Sequence, residues 1–220
     1  MNYTNKAGCS SYCECLIIGA LPRRMAHGNL IDMVKKTKSD DVSAAQVLAQ
    51  LERLSRLSRA SNHSAGLNPA QWDALRYLGR CNRFSNSPMA LTQYLGATKG
   101  TISQTVAALV KKAVVLKTAR AGNHRSVVLV LTDLGRQFLA NDPLRPLEKS
   151  IENLSVKTKK RFARGVSELL DDERQRHSQP RFGTCSTCRF FRSAPDSCMK
   201  FEQALTPQDK VLVCVEQVER

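Results

Sequence analysis

The stretch Leu91-Thr92-Gln93-Tyr94-Leu95-Gly96-Ala97-Thr98-Lys99-Gly100-Thr101-Ile102-Ser103-Gln104-Thr105-Val106-Ala107-Ala108-Leu109-Val110-Lys111-Lys112 decides the fold. Residues 91–95 form a short helix that Gly96 stops, because glycine takes the left-handed conformation of a helix end without steric cost. Thr98 then caps a helix over residues 99–112. Its inward stripe is Ile102, Val106, Leu109 and Val110, at helical spacing. The opposite face holds Gly100, Thr101, Ser103, Gln104, Ala107, Ala108 and Lys111, which are small or polar and include no acid. Such a face suits the major groove of a DNA duplex, where it can hydrogen-bond to base edges and phosphates.

Two β-branched, apolar runs follow at residues 114–118 and 127–131. Between them lies Ala119-Arg120-Ala121-Gly122-Asn123-His124-Arg125-Ser126, a cationic turn with a Gly-Asn pair. A short helix, a capped helix and a basic hairpin in that order predict a winged helix-turn-helix. In that architecture Arg120, His124 and Arg125 face phosphates or an adjacent minor groove. The contacts expected of the second helix come from Lys99, Gly100, Thr101, Ser103, Gln104 and Lys111.

Working outward, Val47, Leu48, Leu51, Leu54 and Leu57 recur at helical spacing and predict a helix over residues 42–63. Asn68-Pro69 signals a second helix start, carrying Trp72, Leu75, Tyr77 and Leu78 and stopping near Gly79. Beyond the hairpin, Thr132 caps a helix over residues 133–140. Pro143 and Pro146 interrupt the helical pattern, and a last long helix covers residues 154–176. Ser178-Gln179-Pro180 reads as a linker. Residues 1–40 show no sustained period and read as a flexible arm. Met25 and Met33 are further candidate starts, and Cys9, Cys13 and Cys15 have no fourth ligand close by. The fold class expected is mainly α with a small β-hairpin wing.

The chain has 220 residues, of which 42% are hydrophobic, enough for a packed core. Lys and Arg total 34 against 19 for Asp and Glu, a formal charge of +15 that attracts polyanions, nucleic acid first. No apolar run approaches the ~18 residues that a membrane-spanning helix needs, so no membrane partner is expected. The apolar residues 15–21 make a poor export signal, so the expected location is the cytoplasm, whose reducing conditions favour free thiols or metal ligands over disulfides. Cys81, flanked by Arg80 and Arg83, sits where its thiol pKa could be lowered. An ordinary half-buried cysteine is the simpler reading.

Residues 67–136 resemble the MarR family of bacterial regulators. The resemblance rests on residues 91–103 as the paired helices, 109–115 as the helix-to-strand exit, and 124–136 as wing tip, second strand and following helix. With flanking dimerisation helices it extends over residues 43–176. It implies a homodimer bound to a pseudo-palindromic operator on double-stranded DNA, often as a repressor released by a small-molecule effector or by thiol oxidation. Two positions depart from the family pattern. Ala113 stands where glycine is usual at the helix exit, and Ala121-Gly122-Asn123-His124 lacks the acidic residue that commonly steadies the wing arginines.

Residues 181–217 read as a cysteine-rich module. Cys185, Cys188, Cys198 and Cys214 are spaced C-x2-C-x9-C-x15-C, four soft ligands suited to a tetrahedral Zn²⁺ site or an iron–sulfur cluster. Phe190, Phe191 and Phe201 would shield the centre. No Ser/His/Asp set, paired metal-binding acids or Gly-rich phosphate loop is present, so no enzyme is expected. Two alternatives stay open: a nucleic-acid accessory factor, and a protein-interaction adaptor with a structural metal.

Overall fold

Asn68 and Gln71 cap each other reciprocally: the Asn68 carboxamide oxygen accepts from the Gln71 N–H at 2.9 Å, and the Gln71 oxygen accepts from the Asn68 N–H at 3.2 Å. This box, with Pro69 in the first turn, starts the helix that organises the core. The computed structural model describes residues 42–60, 65–120 and 123–220, without the side chains of residues 60 and 123–125. The expectations for residues 1–40, including Cys9, Cys13, Cys15, Met25 and Met33, lie outside the described residues.

In chain order the elements are α1 (Ala44–Ala60), α2 (Pro69–Arg80), α3 (Pro88–Leu95), α4 (Lys99–Lys111), β1 (Val115–Arg120), β2 (Asn123–Leu131), α5 (Asp133–Ala140), α6 (Arg145–Glu152) and α7 (Val156–Arg176). One tight helical turn (Cys185–Thr187) then leads to β3 (Phe191–Ser193), β4 (Asp196–Cys198), β5 (Gln203–Ala204) and α8 (Pro207–Val211). β1 and β2 form an antiparallel hairpin, and β3, β4 and β5 form a separate antiparallel sheet in that order. Val47–Arg220 make one compact unit.

The core gathers Trp72, Leu75 and Tyr77 of α2, Leu91 of α3, Ile102, Val106 and Leu109 of α4, and Val114, Val115 and Leu129 of the hairpin. Each of α2, α3 and α4 thus buries one face against the others and leaves the opposite face wet. Gly96 ends α3 at φ 60°, as the stop signal requires. Gly135 is needed for close packing, because a Cβ there would overlap the Val114 carbonyl oxygen. Mainly helical structure with a small antiparallel wing is therefore the observed architecture.

Several boundaries differ from expectation. α3 starts at Pro88, as the Ser87-Pro88 entry signal predicts, with the Ser87 hydroxyl accepting from the Ala90 N–H at 3.1 Å, so one helix takes in both that entry and residues 91–95. The cationic turn is largely zipped into strand: Arg120 pairs with Asn123 after a register shift next to Ala119. Pro143 and Pro146 do not merely interrupt. Pro146 sits in the first turn of α6, where a missing N–H costs nothing. Val110 is not inward but 38% exposed, and Thr105 takes a buried place instead.

Ala113 has φ 57°, the left-handed region that a glycine would occupy freely. Its carbonyl accepts from the Thr132 hydroxyl at 2.8 Å, and its N–H donates to the Val110 carbonyl at 2.9 Å. These contacts fix the turn from α4 into β1.

Candidate nucleic-acid interface and cysteine cluster

The Thr98 hydroxyl accepts from the Thr101 N–H at 3.1 Å and anchors the first turn of α4. The Thr101 hydroxyl lies 2.8 Å from that of Thr98, so it is shared with the cap. Lys99, Gly100, Thr101, Ser103, Gln104 and Lys111 are all exposed, while Ile102, Val106 and Leu109 hold the helix to the core. Sequence spacing thus sorted the two faces of α4 correctly, apart from Val110.

A groove of about 780 Å³ runs between the start of α3, the flank of α4 that carries Lys99, Ser103, Ala107 and Lys111 beside Ile102, Val106 and Val110, and the hairpin. Lys99, Lys111 and Lys117 line it together with Ser87, Ser103 and Ser126, and no acid does. Lys117 escaped the sequence reading because it lies within a strand-forming run; its alternation with apolar Leu116 was the available signal. Lys112 turns away, donating to the Gly66 carbonyl and, at 3.2 Å, to Gln71.

Arg120 does not reach the groove. Its guanidinium leans on the loop before α3, donating to the Arg83 carbonyl at 3.4 Å and the Asn86 side chain at 3.5 Å. The same loop holds the hairpin, since the Leu129 N–H donates to the Asn86 carbonyl at 2.7 Å. His124 and Arg125 lie on β2, with side chains outside the described residues.

α1 and α7 leave apolar stripes exposed, Leu48, Leu51 and Leu54 on one and Phe162, Val166 and Leu169 on the other. No helix among the described residues is long and apolar enough to cross a membrane.

At the C-terminal end, Cys185 and Cys188 flank one tight turn, closed by the Cys188 N–H donating to the Cys185 carbonyl at 3.1 Å. Cys198 ends β4, and Cys214 pairs through its backbone with Gly183. All four are free thiols. They line one small cavity of about 10 Å³ together with Phe190, Phe191 and Phe201. Burial pushes the Cys185 thiol up to about 11, and the neighbouring Cys214, Cys188, Cys198 and Asp209 push in the same direction. As the side chains stand, no three His, Cys, Asp or Glu among the described residues are set to hold a metal ion.

This end is docked on the loop between α2 and α3. The Asn82 N–H donates to the Val213 carbonyl at 2.9 Å, and the Val213 N–H donates to the Arg80 carbonyl at 2.8 Å. The Val215 N–H donates to the Ser85 hydroxyl at 2.9 Å, and Arg83 pairs with Asp209 at 3.4 Å. Nothing in the sequence pattern announced this docking, because its partners lie on irregular segments, at the last residue of α2 and in the short helix α8. Cys81, within the docked loop, is buried, and burial pushes its thiol up to about 12 rather than down. The adjacent arginines do not activate it, because Arg83 is engaged with Asp209 and Ala204.

No curated protein matches the chain. Among solved structures, the MepR–DNA complex of S. aureus shares 15% identity over 60% of this chain and 99% of that one, with a TM-score of 0.48. A probable transcriptional regulator from Pseudomonas aeruginosa shares 22% over 59% and 98%, with a TM-score of 0.44. The transcriptional regulator BldR from Sulfolobus solfataricus shares 20% over 58% and 94%, with a TM-score of 0.46. Residues 65–126, from the turn before α2 into the second strand of the wing, match the model of the MarR family.

Proposed function

We propose that the protein is a DNA-binding regulator of transcription that reads a pseudo-palindromic operator as a homodimer, acting as a repressor. The observation that carries this reading is the exposed, acid-free face of α4, bordered by Lys99, Lys111 and Lys117 along one groove. Lysines of that kind meet phosphates, while Ser103 and Gln104 offer hydrogen bonds to base edges. The MarR family match over residues 65–126 covers the same elements and supports the same role. The formal charge of +15 adds long-range attraction for a duplex.

Pairing of two chains is supported by the exposed apolar stripes of α1 and α7, which a second copy would cover. Two-fold symmetry in the protein then calls for two-fold symmetry in the site. A small effector has room in a cleft of about 870 Å³ between the end of α3 and α7, lined by Tyr94, Leu170, Arg174 and Phe182.

The test is selection of bound duplexes from a random pool with purified protein, followed by footprinting and sedimentation. An inverted repeat protected by a dimer is the expected result, with affinity for it falling about tenfold or more in Gln104→Ala, as loss of a base contact of about 1–3 kcal/mol implies. Binding with no sequence preference, unchanged by Gln104→Ala and Ser103→Ala, would overturn the assignment.

A further inference from the structure

We propose that Cys185, Cys188, Cys198 and Cys214 together bind one thiophilic metal centre, a zinc ion or an iron–sulfur cluster, through four thiolates. This goes beyond DNA reading and stands or falls independently of it. Of the five cysteines among the described residues, four line a single cavity although they come from a tight turn, a strand end and the segment after α8. Separate local elements converge on a common point at a conformational cost, and unrelated buried thiols would have no reason to meet there.

The packing around the thiols points the same way. The apolar cluster here has only Phe84, Cys185 and Leu205 buried, with Phe191, Cys198 and Phe201 partly so. A core this small, in which cysteines are themselves members, holds poorly without a staple. The strands it supports have three residues or fewer. Phe190, Phe191 and Phe201 supply the apolar wall that keeps water from thiolate–metal bonds.

Charge and polarity fit as well. Lys200 lines the cavity but is paired with Glu216, which lines it too, while the Arg220 guanidinium donates to the Cys188 carbonyl at 3.2 Å and brings one cation beside a centre that four thiolates would make anionic. The carboxamide oxygen of Gln217, another lining residue that is only 7% exposed, is buried without a hydrogen-bond partner. An acceptor left orphaned beside converging thiols departs from the rule that buried polar atoms are partnered.

As they stand, the thiols do not form a coordination sphere. Closing it needs rotation about the one side-chain torsion that each cysteine has, which swings a sulfur without moving the backbone. As each S–metal bond forms, the S–H proton leaves to solvent, and no electron changes hands for zinc. For iron–sulfur the incoming species is a cluster of iron and inorganic sulfide, taken up by the same exchange of protons for metal.

The experiment uses the full chain, purified in parallel with and without oxygen, with zinc, iron and acid-labile sulfide counted per chain. About one zinc in colourless protein, or about four iron and four sulfide in brown protein, supports the site and tells the two sources apart. Cys198→Ser and Cys214→Ser should each lose most of the metal, whereas Cys81→Ser should keep it. The far-ultraviolet helical signal, which comes chiefly from residues 44–176, separates metal loss from general unfolding. A second measurement needs no variant: chelated protein titrated with Co²⁺ should develop an intense sulfur-to-cobalt charge-transfer band. Protein in which all eight thiols titrate, with no metal from either preparation and no cobalt band, overturns the proposal. So does metal retained in full when all four cysteines are serine.

Discussion

Phe84 and Phe201 lie face to face, ring centroids 4.4 Å apart and planes 4° from parallel. One ring belongs to the loop between α2 and α3, the other to the cysteine-rich end. With the Arg83–Asp209 pair at 3.4 Å, the stack closes that end onto the loop from which the wing hairpin is held. Phe84→Ala removes a 9% exposed aromatic side chain and leaves Phe201 without its partner. The expected loss is about 3 kcal/mol in denaturant unfolding, with faster amide exchange at residues 81–86.

Along the groove, Lys99, Lys111 and Lys117 are exposed and among the lining residues they carry all the charge. Replacing each with alanine should weaken duplex binding equally for operator and random sequence. The log-affinity against log-salt slope should shrink by about one per lysine. A variant with unaltered slope would remove that lysine from the phosphate-contacting set.

Arg76 donates two hydrogen bonds to Asp142, both at 2.7 Å, joining α2 to the turn after α5. Burial pushes the Asp142 carboxyl up, but hydrogen bonds from Arg76 and the Leu144 N–H, with the charges of Arg76 and Arg80, outweigh it and hold the group below its usual value. A depressed folded-state pKa means the stabilisation is complete above the unfolded pKa of about 4 and is lost as pH falls through the folded value. The melting temperature should therefore drop below pH 4 (approximately) more steeply in the native protein than in Asp142→Asn. At neutral pH that variant should lose about 3 kcal/mol, because buried Arg76 loses its doubly hydrogen-bonded partner and keeps the half-exposed Asp73 at 3.2 Å.

Ala113 offers a backbone test, since it holds φ 57° at the exit of α4. Relief of left-handed strain worth about 1–2 kcal/mol is offset in part by the extra freedom that glycine gives the unfolded chain. Ala113→Gly should gain about 0.5 kcal/mol by thermal unfolding, and Ala113→Val should lose more than that because a branched Cβ fits this region worst.

The elements legible in the sequence were those that carry their own punctuation: Asn68-Pro69, Thr98 and Thr132 as caps, Gly96 as a stop, and the apolar stripe of Ile102, Val106 and Leu109. The outer face of α4 followed from that stripe by subtraction. Arg120 could not be placed from sequence, because its partners Arg83 and Asn86 sit in a loop whose path depends on the chain's far end. α6 was missed because Pro146 marks a helix start as readily as a break. The cysteine spacing identified four thiols as a group. Their docking on residues 80–86 joins backbone hydrogen bonds, which carry no side-chain signature, to single side-chain contacts of Arg83, Phe84 and Ser85 that follow no period.

The ties between Arg83 and Ala204 and between Ser85 and Val215 bridge 121 and 130 positions of chain. The helices of the reading head, by contrast, meet near neighbours in sequence. On a ribosome the head is complete long before the segment that will brace its central loop has emerged. Assembly therefore has a built-in order, in which nascent protein passes through a stage with the wing formed and residues 81–86 still unbraced. Refolding of full-length chain should accordingly finish more slowly at those residues than in the helices beside them.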